Sequence, residues 1–386
     1  MSDQTEPHVD WDPRSPQVQE DQIAAYDEMR ARCPVAYSAY RNWTVFHHAD
    51  IVAILDDPAT FSNAVSSHPS VPNGMDPPEH TSFRAINDRY FTPDRMRAFE
   101  PACREVARDL IDALGPGEAE IMSGLAEPFA NRIQCRFMGW PERLHEPLRE
   151  WTRKNREATR ALDREAMSAI ALEFDGYIRE QLDERRHRPA TGTPDVTAEL
   201  LGERVDGRPL TDAELVSMIR NWTVGELSTI AACVGILVAF LASNPDIQKH
   251  LRAEPDRIGA ACDEILRMRA PLIANRRRTT REVTVADRRI PAGERIMVLW
   301  ASANRDEAVF GDPDEFRLDR DPDANLLYGR GIHNCPGAPL ARLELTALVD
   351  ELLAATTNIT ATGAVPEHAA YPAGGFTRVP VVLTRH

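Results

Sequence analysis

With 386 residues, 42% hydrophobic and 27% charged, the chain is long enough for one large domain or two to three average ones and apolar enough for a sizeable core. Its formal net charge of −15 argues against nucleic acid or an anionic membrane as main partner, since both need a basic face. Six cysteines (Cys33, Cys103, Cys135, Cys233, Cys262 and Cys335) form no CxxC pair and no framework spacing, which suits a reducing cytoplasm.

The acidic, proline-bearing opening "MSDQTEPHVDWDPRSP" lacks a basic-then-apolar leader, so no signal peptide is expected. Apolar spacing of three and four predicts helices over 21–32, 79–91, 95–114, 119–138, 163–187, 211–242, 256–270 and 337–355. "VAYSAY" and "NWTVFH", within 35–47, read as a hairpin. "TDAEL" at 211–215 opens the longest helix with Thr211 and, three residues on, Glu214, the capping-box spacing. The apolar run 227–242 is short for a membrane span and has polar neighbours, so a buried helix is expected. Residues 281–300 alternate and turn at Asp287 and at Pro291–Gly293. Between 304 and 328 no period is sustained, and so long a loop inside a compact domain is functional or tightly packed. The expected fold class is mainly α with small β-sheets, as a single domain over 1–386.

Within "LLYGRGIHNCPGAPLARLEL" (326–345), Cys335 follows a glycine-rich loop and sits where a helix would begin. The thiolate, the metal-binding form, is favoured there by free N–H groups and the helix dipole. Gly337 lets the backbone approach a flat partner, and Arg330 and His333 can meet anionic groups on it. Zinc is disfavoured because no second cysteine or histidine stands at ligand spacing. A cysteine nucleophile would need a base and an oxyanion site that the local pattern lacks. A purely structural cysteine is the bland alternative.

"YGRGIHNCPG" resembles the haem-thiolate motif of the cytochrome P450 monooxygenases, aromatic-Gly-x-Gly-x-His-x-Cys-x-Gly, with Tyr328 where phenylalanine is commoner. The resemblance covers nearly the whole chain. Glu264-Ile265-Leu266-Arg267 is similar to the family's E-x-x-R, and "PDEFRLDR" (313–320) supplies Arg320 to complete a Glu–Arg–Arg cluster. "DPPEHTSFR" (76–84) matches the segment whose histidine and arginine, here His80 and Arg84, hold haem propionates. The resemblance implies the cytochrome P450 fold, haem b (iron protoporphyrin IX) as cofactor and Cys335 as iron ligand. It also implies haem contacts from Gly329, His333, Gly337 and Arg277, the last placed by its distance from "IPAG". Arg276 and Arg278 leave that register open.

The physics of these positions agrees. His80 and Arg84 stand at i and i+4, so they share a helix face and can reach two carboxylates, with a solvated surface pair as the alternative. Glu264, Arg267 and Arg320 would form a buried cluster that fixes the meander and the cysteine loop without doing chemistry. Residues after the cysteine in this family usually donate N–H groups to the sulfur, and Pro336 has none. A more electron-rich sulfur and a lower iron potential are expected.

The family's central helix carries small-Gly-x-acid-Thr, whose acid and alcohol deliver protons. In "NWTVGELSTIAACVG" (221–235), Val224-Gly225 falls in register, but Leu227 occupies the acid position and Ser228 the alcohol position. Glu226 comes one residue early and Thr229 one late. Successive helical residues point about 100° apart, so Glu226 cannot simply replace an acid at 227. Three expectations stand: Ser228 and Thr229 carry protons with water, a helical bulge re-aims Glu226, or Glu226 pairs elsewhere.

Segment 65–75, Val224, Leu227, Ser228, Leu272 and Ile273 of "PLIA", and Phe376 are expected to surround the distal space. All but Ser228 are mainly apolar, which points to a small apolar or aromatic substrate, with O-dealkylation of a methoxylated aromatic favoured and alkyl or thiocarbamate substrates open. The helix looks closest to bacterial aromatic O-demethylases and reductase-fused haem domains. Electrons would come from a ferredoxin or a flavin/iron–sulfur reductase docking near Arg330 and Arg342. A peroxide-driven peroxygenase and a non-catalytic haem sensor are the competing functions.

Overall fold

The computed structural model describes residues 8–66, 68–187 and 194–386, so residues 1–7 of the opening stretch and position 67 of the 65–75 segment lie outside the described residues. Helices dominate. The longest, Asp212–Ser243, runs unbroken for 32 residues from a complete capping box. The Thr211 hydroxyl accepts the Glu214 N–H, and the Glu214 carboxylate accepts the Thr211 N–H at 2.7 Å. By length and apolarity this helix could cross a bilayer, but 67% of its most apolar window is buried inside the protein.

Helices Glu127–Met138, Ile258–Arg269 and Ala338–Ala355 pack against this central helix, and Pro93–Leu114 lies along the last of them. Their contact forms one core around Leu125, Phe129, Val234, Leu237 and Leu352. A second core gathers Phe83, Tyr90, Phe137, Trp151 and Phe174 against Met218 and Leu227 of the central helix. The main sheet has five strands in the spatial order Val35–Ser38, Asn42–Val45, Arg295–Val298, Asn275–Thr279, Phe61–Ser62. Along Asn275–Thr279 the burial alternates, so Arg277 points inward while Arg276 and Arg278 face out. That settles which arginine of the "NRRRTT" run faces the core.

The departures from the sequence reading have local causes. Helix His145–Ala161 is largely polar, with Leu148, Trp151 and Ala158 its only buried residues, a stripe too thin to read. The expected helix over 119–138 begins instead as strand Gly117–Glu120, paired with Pro380–Leu383, before a π turn at Met122–Ala126. The non-local partner decides that conformation, and no local pattern reports it. The 281–300 stretch forms the hairpin Val283–Val285/Arg288–Ile290, after which Arg295–Val298 joins the main sheet.

The 304–328 meander holds only a helical turn, Glu307–Phe310, and a 3₁₀ turn, Pro322–Ala324. Side chains supply the bonds that regular structure would. Arg267, 1% exposed, donates from Nε and Nη2 to the Glu264 carboxylate (2.8 and 3.0 Å) and to the carbonyls of Asn304 (2.6 Å) and Pro313 (3.0 Å). Arg320 donates to the same carboxylate at 2.9 Å.

The capping box offers a direct check on helix stability. Thr211→Ala removes one of its two bonds and is expected to cost about 1 kcal/mol in urea unfolding.

Candidate active site

The cysteine loop is built on two left-handed glycines, Gly329 (φ 72) and Gly331 (φ 70). A Cβ at Gly331 would also lie 2.7 Å from the Leu55 carbonyl oxygen, so the position demands glycine on two counts. The turn closes with the Cys335 N–H donating to the Tyr328 carbonyl at 2.8 Å. The Cys335 residue is solvent-accessible, yet its thiol is enclosed enough that burial pushes it up. The backbone N–H groups of Gly337 and Ala338, with Arg84, pull the other way, while Glu226 adds to the rise. Pro336 has no N–H to offer the sulfur.

Beside this thiol lies a set of basic side chains bonded to no carboxylate. His80 is 3% exposed, its ring centroid is 4.3 Å from that of His333, and neither Nε2 has a partner among the described residues. Arg277 is buried and bonds through Nη1 to the Arg276 carbonyl at 2.8 Å. Burial, then His80 and Arg277, pushes His333 down to about 3, and burial brings Arg277 to about 10. Asp76 opposes these shifts, but no carboxylate bonds to any of the three, so the buried donors form a site for anionic oxygens. Arg84 is placed differently. It donates to Asp88 (2.7 Å) and to the carbonyls of Ile332 (3.0 Å) and Asn334 (2.6 Å), tying helix Glu79–Asp88 to the cysteine loop.

On the central helix, Gly225 and Ser228 are exposed in the midst of buried neighbours, and Val224 and Thr229 are half-buried. A Cβ at Gly225 would meet nothing within 4 Å, which leaves room for a flat group against that face. Leu227 does not share this face. It is 1% exposed in the second core, a correction to its expected place on the pocket wall. Positions 225 and 227 stand about 200° apart on the helix, so they cannot face the same space. Glu226 is not re-aimed by a bulge, because the helix is regular there; its carboxyl is coupled to that of the buried Glu344.

Three other pocket expectations also move. Ile273 and Phe376 line a cavity of about 90 Å³ with Tyr26, Ile236 and Arg269, and no residue of the cysteine loop borders it. Leu272 is 42% exposed, more than an enclosed pocket wall allows.

Residues 155–355 match the family model described as Cytochrome P450. The cyclomarin C epoxidase CymV of Salinispora arenicola is 31% identical over 87% of this chain and 89% of its own length. The erythromycin C-12 hydroxylase of Saccharopolyspora erythraea is 32% identical over 84% and 85%. This chain is a cytochrome P450. Its fold agrees: the solved structure of a mutant of P450 EryK in complex with erythromycin B superposes with a TM-score of 0.86 at 30% identity, covering 94% of this chain and 96% of that one.

As a member of that family this P450 is a monooxygenase that binds haem b, and its residues fit the group. The unpartnered His80 and His333 nitrogens and buried Arg277 suit the two propionates, Cys335 the iron, and the open faces at Gly225 and Gly337 a flat macrocycle.

Sequence reasoning missed Glu344, although Leu340, Glu344 and Leu348 stand at i, i+4, i+8 and the flanking leucines mark a buried stripe. It also missed that Tyr328 donates its hydroxyl to Asp263 at 3.2 Å while Arg342 stacks over its ring at 4.4 Å. That network uses the hydroxyl by which Tyr328 departs from the commoner phenylalanine.

Restoring the missing N–H should be measurable in this P450. Pro336→Leu is expected to raise the ferric/ferrous potential in a spectroelectrochemical titration, and an unchanged or lower potential contradicts the role given to proline.

Proposed function

We propose that this P450 activates dioxygen with electrons from a separate protein to hydroxylate or O-dealkylate a small, apolar, aromatic substrate, as one haem domain over residues 1–386. The observation that carries the reading is an exposed cysteine residue at the end of a glycine-built loop, beside buried basic side chains bonded to no carboxylate. Bound haem supplies the electron-transfer and oxygen chemistry. Cys335 would give the iron its sulfur ligand, and His80, Arg277 and His333 would hold the carboxylates. Ser228 and Thr229 present hydroxyls that can hold and pass protons at their Oγ atoms. A cytoplasmic setting is supported by six cysteines that are all unpaired.

The compact substrate is supported by a strap over the central helix. Ser217 Oγ accepts the Val71 N–H (2.9 Å) and donates to the Pro69 carbonyl (3.0 Å). Asn221 donates to the Val71 carbonyl at 3.0 Å and accepts from Ser70 at 3.3 Å. These bonds draw residues 69–71 down onto the helix that bears Val224, Gly225 and Ser228.

Electron delivery fits the concavity of about 400 Å³ on the cysteine loop, lined by Tyr328, Arg330, Asn334 and Arg342. Neither arginine is a free cation: Arg330 pairs with Asp56 at 3.0 Å and Arg342 with Asp263 at 2.8 Å. An acidic ferredoxin would have to compete with those carboxylates, and a reductase with a mixed surface suits the face as well.

A second reading is favoured by the relatives named for erythromycin and cyclomarin C, which points to a larger natural product. A Soret titration of the ferric enzyme with methoxyphenols, methoxybenzoates and erythromycin separates the two. A saturable low-to-high-spin shift with the aromatics, followed by formaldehyde release on turnover, is expected. A shift with erythromycin alone overturns the small-substrate assignment.

A further inference from the structure

The outward face of the main sheet gathers arginines that have no carboxylate. Arg295 stands directly opposite Arg278 on the neighbouring strand, and Arg276 lies two residues along from Arg278 on the same face. All three are exposed, on the side away from Arg277. Arg41 immediately precedes strand Asn42–Val45, which runs parallel to Arg295–Val298 with Trp43 beside Ile296, so it joins the same end of the sheet. None of these four guanidiniums has a carboxylate oxygen within 4.0 Å among the described residues. Glu294, next to Arg295, instead accepts from the Asn42 amide at 2.9 Å. The arginines of the adjoining hairpin, by contrast, are paired: Arg288 with Asp10 (2.9 Å) and Arg289 with Glu282 (2.7 Å). Like charges directly opposite on a sheet destabilise it. In a chain of net charge −15, with carboxylates in excess, four unmatched guanidiniums in one place point to an anion from outside the chain.

Two tyrosines give the cluster a fixed shape. The guanidinium carbons of Arg14 and Arg41 lie 4.1 and 4.3 Å from the Tyr40 ring centroid, and that of Arg41 is 5.9 Å from the centroid of the buried Tyr371. Arg14 is also paired with Asp12 at 3.4 Å. Arg41 Nη2 donates to the Tyr40 hydroxyl at 3.0 Å, while its Nε is buried with no acceptor among the described residues. The ring contacts and this bond hold the Arg41 fork in place before any ligand arrives, which lowers the ordering cost of binding. Burial, then the charges of Arg41 and Arg295, lowers the pKa of Arg276, with Tyr371 and Tyr40 opposing them.

We propose that this end of the main sheet is a binding site for a small anion with two or more negative charges, a phosphate or a di- or tricarboxylate, gripped by Arg41, Arg276 and Arg295 with Arg278 at its edge. Guanidinium forks match carboxylate and phosphate oxygens through paired, charge-assisted bonds. The size of the ligand follows from the charge of the chain. A large polyanion would extend over an acidic surface and be repelled, whereas a small one senses mainly what lies within the screening length of about 8 Å. The bound anion would bridge three strands and relieve the repulsion between Arg278 and Arg295. The site stands apart from the oxidation chemistry, since Arg277, between Arg276 and Arg278, faces the other side of the sheet.

The test uses the haem-loaded enzyme at neutral pH and low salt. Calorimetric titrations with citrate and with inorganic phosphate are expected to saturate, and each anion to raise the thermal midpoint more than potassium chloride does at equal ionic strength. Arg276→Gln and Arg295→Gln are each expected to weaken citrate binding by about tenfold or more. Arg160→Gln, at an exposed position of helix His145–Ala161, is expected to leave it unchanged. Without added anion, Arg295→Gln is expected to raise the midpoint, because it removes one of two facing like charges.

A chloride effect equal to that of citrate overturns the site, since general screening then accounts for the stabilisation. So does citrate binding that survives both glutamine substitutions at the sheet. A Soret shift that tracks the citrate isotherm would put the anion at the haem and overturns the surface assignment. A lowered midpoint for anion-free Arg295→Gln would make that arginine a structural residue and overturns it as well.

Discussion

One buried carboxylate, Glu264, sits between two guanidiniums, and the path of the chain to its functional cysteine depends on that contact. Arg267 and Arg320 both donate to it, and so does the Arg317 N–H at 3.2 Å. The arginines then reach outward to carbonyls. Arg267 takes those of Asn304 and Pro313, and Arg320 takes those of Phe310, Asp312 and Glu315. A stretch with almost no regular structure thereby has its polar backbone satisfied. The order passes on: Asn304 Oδ1 accepts the Leu326 N–H at 2.7 Å, and two residues later the Tyr328 carbonyl accepts from Cys335. A buried ion cluster is a poor source of net stability, because desolvation offsets most of its Coulomb energy. What it supplies here is one defined path.

The surroundings of Cys335 separate charge types. At one side His80, Arg277 and His333 stand bonded to no carboxylate; burial lowers both histidines, with Arg84 adding at His80 and His80 adding at His333. At another, Glu226 and Glu344 stand without cations and are held protonated by the same low dielectric. Each group departs from its ordinary titration in the direction that removes its charge. The first group gains its counter-charge when propionates arrive, which makes it a binding site. The second gains none from such a ligand.

Much of this was legible in the sequence wherever chemistry requires short, fixed spacing. The capping box at Thr211, the Glu264–Arg267 step, the His80–Arg84 turn and the glycines around Cys335 are local constraints, and a linear pattern records them. Arg277 was placed only within a run of three arginines, because its side depends on pairing with Arg295–Val298. Leu227 was misplaced because a family position was treated as a direction. It belongs to a core built with Phe137 and Trp151, which come from distant segments. Phe376 and Ile273 failed for the same reason, since only the folded chain puts them in a separate cavity.

The clamp at Glu264 makes the most direct claim of the account: a residue with no role in the chemistry decides whether the cysteine loop exists. Glu264→Gln leaves two buried guanidiniums without their carboxylate, a change expected to cost about 3–5 kcal/mol. Carbon monoxide spectra of the reduced variant, read with its urea unfolding midpoint, measure both consequences at once. The account predicts loss of the thiolate-type absorption together with lowered stability. A variant that keeps the full thiolate spectrum and the wild-type midpoint would contradict it.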